Sequence, residues 1–155
     1  MMYAPRQRHA RQRGTAIIEF AIALPLLLLL IMGTFELGRL LTEYDTLNKT
    51  VRDAARYLAS NALSGTTGVV TITPAVRTAT ANLVVTGNAA GSGAALLPAL
   101  SASNVTVSNL GNGYVSVSAA YTYAPALGSR LPTFGLGPPI NMTLQMNATA
   151  VMRPL

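Results

Sequence analysis

Residues 14–60 read GTAIIEFAIALPLLLLLIMGTFELGRLLTEYDTLNKTVRDAARYLAS, and two hydrophobic patterns meet inside them. From Thr15 to Phe35 the run is apolar on every side, with Glu19 its one charge. About 21 residues at 1.5 Å each span roughly 31 Å, close to the ~30 Å hydrocarbon core of a bilayer. A transmembrane helix is therefore predicted over 15–35. Beyond it Leu37, Leu40, Leu41, Tyr44, Leu47, Val51, Ala54, Ala55 and Leu58 recur every three or four residues. That spacing makes one apolar stripe on a helix. Glu43, Asp45, Lys49, Arg52, Asp53 and Arg56 mostly fall on the other faces, with Asp45 and Lys49 spaced to pair at i,i+4. The helix is predicted to continue as an amphipathic spine over 36–62, so that one rod of roughly 70 Å runs from about Thr15 to about Ser60. Its second half has to cover something, and the rest of the chain is the available surface.

Arg6, Arg8, Arg11 and Arg13 crowd the head that precedes the apolar run. Such a cluster holds its side of a membrane segment in the cytoplasm, which places the later residues outside. A cleaved secretory signal fits poorly: the apolar run is long, no Ala-x-Ala site follows it, and Glu36-Leu37-Gly38-Arg39 continues the helix. Pro25 removes one backbone hydrogen bond within the run, predicting a kink or a loosened turn. Glu19 needs a reason of its own, because a charge in a membrane helix costs roughly 2.5–3.5 kcal/mol at its centre even on lenient scales.

Ser64-Gly65-Thr66-Thr67-Gly68 ends the spine. Val69–Ile72 is short and β-branched and reads as a strand. Thr73-Pro74 reads as an N-cap followed by proline at the first helical position, opening a short helix that stops at Gly87. Residues 87–103 read as a loop. From Asn104 the period changes to two, and Gly111-Asn112-Gly113 marks the turn of a hairpin that runs on to Tyr123. Residues 124–139 are proline- and glycine-rich and read as a long connection. Residues 140–152 alternate as one final strand with an apolar face. The expected class is α+β: a long N-terminal transmembrane-plus-amphipathic helix packed on a small antiparallel sheet, with one additional short helix.

The composition excludes several functions. All five acids lie before residue 54, and beyond Arg56 only Arg77, Arg130 and Arg153 are charged, so the net charge of +6 belongs mostly to the head. A nucleic-acid surface would need clustered cations on the folded domain. Cysteine is absent, which removes disulfides and thiolate metal sites. The single histidine, His9, lies in the head, and no carboxylate follows Asp53. The domain therefore lacks an acid/base pair or an activated nucleophile, and neither catalysis, a cofactor, a metal nor a small-molecule substrate is expected. Asn48, Asn104, Asn141 and Asn147 begin Asn-x-Thr triplets, which read as ordinary outward-facing residues rather than glycan acceptors.

Arg13-Gly14-Thr15-Ala16-Ile17-Ile18-Glu19-Phe20 resembles the processing site of type IV prepilins. With Pro25-Leu26-Leu27-Leu28, Glu36-Leu37-Gly38-Arg39 and Ala54-Ala55-Arg56-Tyr57 behind it, the stretch from about 11 to 60 resembles the TadE-like proteins. Those are minor pilins or pseudopilins of the bacterial tight-adherence pilus, related to type IV pili. The resemblance implies a basic leader over 1–14, cut between Gly14 and Thr15 by a prepilin peptidase, and an extracytoplasmic pilin-like α+β domain over 63–155. It implies a single pass of the inner membrane and, as partners, other pilins and the assembly platform. Glu19, with Phe20 beside it, would pair with the free amine of a neighbouring subunit. Major pilins of this system are much shorter and usually carry tyrosine after the glutamate, so Phe20 and the long domain point to a minor component. The alternative is an uncleaved, signal-anchored domain with a binding or structural role.

Overall fold

The computed structural model describes residues 12–63 and 69–154. Helix α1 runs from Gln12 to Asn61 and α2 from Pro74 to Thr86; the strands are β1 Val105–Gly111, β2 Tyr114–Thr122, β3 Arg130–Leu131, β4 Ile140–Asn141 and β5 Gln145–Met152. At 50 residues, α1 is about 75 Å long, and Pro25 lies inside it without ending it. Inside the apolar half, Thr34 Oγ1 donates to the Leu30 and Ile31 carbonyls at 2.7 and 3.0 Å, so the hydroxyl needs no outside partner.

Three strands form an antiparallel sheet in the order β1-β2-β5, and β3 and β4 pair separately. The β1–β2 turn is the dipeptide Asn112-Gly113, between the paired residues Gly111 and Tyr114. Both turn residues have positive φ, 53° and 75°, as a type I′ hairpin requires. Strand β2 sends Val115, Val117, Ala119 and Tyr121 into the core, and β5 adds Met146 and Ala148 from the neighbouring row. The opposite face is mostly polar, with Ser108 and Ser116 hydroxyls 2.8 Å apart across the strands and Tyr114 and Val151 exposed on it.

The second half of α1 and the whole of α2 lie on the apolar face. Helix α2 is capped as its sequence demands: Thr73 Oγ1 accepts from Val76 N at 3.3 Å, Pro74 opens the first turn, and Gly87 closes the helix at φ 77°. Leu97 and Leu100, within the loop that follows, are buried in the same core.

Three expectations need correction. Val69–Ile72 forms no strand; Val70 makes one isolated bridge to Leu63, and Val70 and Ile72 serve as packing against the core. β-propensity needs a partner edge, and the run is cut short by the cap at Thr73. The final strand is broken in two. Asn141 Oδ1 accepts from Thr143 N at 3.0 Å and from Thr143 Oγ1 at 2.7 Å, an Asx turn that ends β4 before β5 begins. The stripe on α1 is also shifted. Leu37, Leu41 and Tyr44 are exposed, whereas Glu36 and Glu43 are buried in line with Leu47, Val51, Ala54, Ala55 and Leu58.

Candidate functional site

The sequence nominates residues in the first turns of α1. Gly14, Thr15, Glu19 and Phe20 follow one another along that helix and are all exposed, and Pro25 is partly covered. A Cβ built on Gly14 meets nothing within 4 Å, so packing gives no reason for a glycine there. Thr15 and Glu19 stand one turn apart on one side of the helix. Of the arginine head, Arg6, Arg8 and Arg11 lie outside the described residues, as does His9, and only the backbone of Arg13 is described. Ile17, Ile18, Phe20, Ile22, Leu26, Leu30, Ile31 and Phe35 are exposed along the helix. In water such a rod would be very costly, at about 25 cal/mol per Å² of apolar surface. It is long and apolar enough to cross a membrane.

Where the rod leaves that apolar half, two carboxylates turn inward. Glu36 is fully buried; its Oε1 accepts the Leu127 backbone N–H at 2.7 Å and its Oε2 accepts the Tyr123 hydroxyl. Two turns further on, Glu43 Oε2 accepts the Tyr121 hydroxyl at 2.7 Å, and its Oε1 takes the Arg39 Nε–H at 3.0 Å. The Arg39 guanidinium stands 6.0 Å from the Tyr123 ring centroid, between the two acids. Two rungs therefore bolt one helix face to the end of β2 and the residue just past it: Glu43 to Tyr121 and Glu36 to Tyr123.

Burial raises the Glu36 carboxyl, but the Tyr123 and Leu127 hydrogen bonds and the Arg39 charge outweigh it and hold the group below the ordinary carboxylate value. The tyrosines move the other way. Burial, then the hydrogen bond to Glu43, pushes Tyr121 far above its ordinary value; burial and Glu36 push Tyr123 up to about 12. Each rung thus holds a carboxylate as acceptor and a phenol as donor. The arrangement has no exposed nucleophile or base, and what it can do is hold.

Sequence reasoning put Glu43 on the polar side of the spine and gave Glu36 no structural role. A signal for both was present. Glu36 and Glu43 fall in phase with Leu40 and Leu47, and Tyr121 in β2 and Tyr123, one residue past its end, stand two residues apart, the spacing of one face of an extended chain.

Comparison with curated proteins and with solved structures finds no match. Residues 14–56 match the family model described as TadE-like protein. The match takes in Gly14, Glu19, Glu36, Arg39 and Glu43, and leaves Tyr121 and Tyr123 outside it. Over these residues the long N-terminal helix is similar to the TadE-like family.

Proposed function

We propose that the chain is a minor pilin or pseudopilin, a structural or assembly component of a tight-adherence pilus. It is anchored in the bacterial inner membrane by a single pass of α1, with the arginine head in the cytoplasm and residues 63–155 outside. The observation that carries this reading is where the TadE-like match begins: at Gly14, directly ahead of the exposed apolar run. A prepilin peptidase removes residues 1–14 by cutting between Gly14 and Thr15. Glycine is about 1 kcal/mol poorer than alanine in a helix, so the first turn opens at low cost to enter a protease cleft.

After the cut Thr15 carries a free amine. Glu19 stands about 6 Å further along the axis, at 1.5 Å per residue. A neighbouring subunit displaced by about one turn brings its amine to that carboxylate, with Phe20 packing beside the pair. A paired charge is tolerated near lipid where a lone one is not, and the pairing sets the register between subunits. Other pilins and the inner-membrane assembly platform are the partners this requires.

Intact mass from a host that carries the peptidase tests the cut. The mature chain is expected to begin at Thr15, and Gly14→Val is expected to retain the leader. A wild-type chain that keeps residue 1 favours the uncleaved anchor instead. In the same host, Glu19→Gln is expected to be cut normally but to lose pilus-dependent surface adherence. Wild-type adherence at normal protein level removes the pairing role.

A further inference from the structure

Residues 124–144 leave β2 and return into β5 as a lobe of their own, closed by the β3–β4 pair. Its entry is pinned to one level of α1, because Leu127 N–H donates to Glu36 at 2.7 Å. Its exit is tied beside that entry, where Tyr123 N–H donates to the Leu144 carbonyl at 2.8 Å. Position 36 follows directly on the apolar 15–35 segment. Strand β3 lies against α1, and on the Glu36 side of the helix Met32 and Gly33 are partly covered. The lobe therefore sits at the level where the helix passes from its apolar half to its amphipathic half.

A loop facing water is ordinarily polar. This one exposes Leu127, Phe134, Leu136 and Ile140, with Leu136 64% exposed. Single exposed apolar residues are ordinary, but a group of them in one lobe marks a contact surface. Its tip is held in shape. Leu136 N–H donates to the Thr133 carbonyl at 2.9 Å, and Thr133 Oγ1 donates to the Gly137 carbonyl. Phe134 takes φ 52°, a left-handed conformation that bulky residues avoid, and its side chain stays outside the core. Arg130 is the lobe's one charged residue, and no acid follows Asp53 anywhere in the chain. An apolar tip with a lone cation and no carboxylate suits the headgroup boundary of an anionic bilayer.

We propose that the 124–144 lobe is a second membrane contact. Phe134 and Leu136 enter the interfacial layer of the bilayer that α1 crosses, and Arg130 lies among the headgroups. The inference rests on reading α1 as membrane-spanning. With the helix and the lobe both in contact with lipid, the domain is held at two points and its rotation about the helix axis is restricted.

The chain has no cysteine, so single-cysteine variants of the full-length protein carry one label each. Leu136→Cys reports the tip and Leu28→Cys the apolar half of α1. Leu110→Cys is the control: it is exposed at the β1–β2 turn, at the end of β2 remote from Tyr123. Each is labelled with an environment-sensitive fluorophore and reconstituted into vesicles of phosphatidylethanolamine and phosphatidylglycerol at several protein-to-lipid ratios. Quenching by an acyl-chain nitroxide is then compared with quenching by aqueous iodide. The expected result is lipid quenching at positions 28 and 136 at every ratio, and several-fold stronger iodide quenching at 110. If position 136 follows position 110 while 28 stays in lipid, the lobe proposal fails and the spanning reading stands. If position 28 is open to iodide, both fail. Protection of position 136 from iodide that grows with protein-to-lipid ratio, without lipid quenching, means that a second copy covers the tip and overturns the proposal.

Discussion

Glu36 ties the domain to α1 next to the helix's apolar half, beyond the core that Leu47, Val51 and Leu58 share with the sheet. Its carboxylate is fully out of water, and it is tolerated there because the Tyr123 hydroxyl and the Leu127 amide both donate to it. Tyr123→Phe removes one donor and leaves a buried carboxylate short of a partner, at an expected cost of about 1–3 kcal/mol. Tyr121→Phe is expected to cost less, because Glu43 keeps its ion pair with the partly exposed Arg39. Hydrogen-exchange protection of the β2 and β5 amides in nanodiscs measures both losses. A Tyr123→Phe protein as protected as wild type would show that the rung holds nothing. Gly14 and Glu19 are nominated by a local pattern, a glycine, an apolar run and one acid at fixed spacing, and the structure adds only that both are exposed. Glu36 and Glu43 were not legible in the sequence, because polarity alone sends a glutamate to the surface. Their burial depends on donors far along the chain, the Tyr121 and Tyr123 hydroxyls and the Leu127 amide.

At the scale of elements, legibility followed the range of the interactions involved. Helix α2 could be read from Thr73, Pro74 and Gly87, since cap, first turn and stop all act within four residues of the atoms they satisfy. The hairpin could be read from Asn112-Gly113, a dipeptide that accepts positive φ at both positions. Val69–Ile72 misled because β-branched residues fill core space as readily as they pair, and pairing depends on which edge is within reach. The break between β4 and β5 turned on one Asn141 side chain that accepts from Thr143 instead of facing outward from a continuous strand. On α1 the three-four spacing found the helix but misplaced the buried face in its first two amphipathic turns. There Leu37 and Leu41 remain exposed while the acids turn inward.

For the molecule as a whole, the two rungs link stability to pH at the alkaline end. Folded Tyr121 and Tyr123 hold their protons above the ordinary tyrosine value of 10.0, Tyr123 up to about 12. Below pH 10 both states keep these protons and the contribution is fully present. Above it the unfolded chain ionises first, so the folded state binds more protons and stability falls as pH rises. Each tyrosine contributes a slope of at most about 1.4 kcal/mol per pH unit until its folded value is reached, which for Tyr123 closes the window near pH 12. Glu36 has the opposite sign: its contribution is present above its unfolded value and is lost as pH falls below 4.5 towards its lowered folded value. Between these limits the domain is expected to keep a constant grip on the helix. The decisive comparison is urea unfolding of the full-length protein in nanodiscs across pH 9 to 12, for wild type and for Tyr121→Phe/Tyr123→Phe. The double variant is expected to be weaker at neutral pH and to show a flatter alkaline limb. Should both proteins lose stability with the same slope above pH 10, the alkaline transition belongs to other groups, and the rungs do not couple the domain to pH.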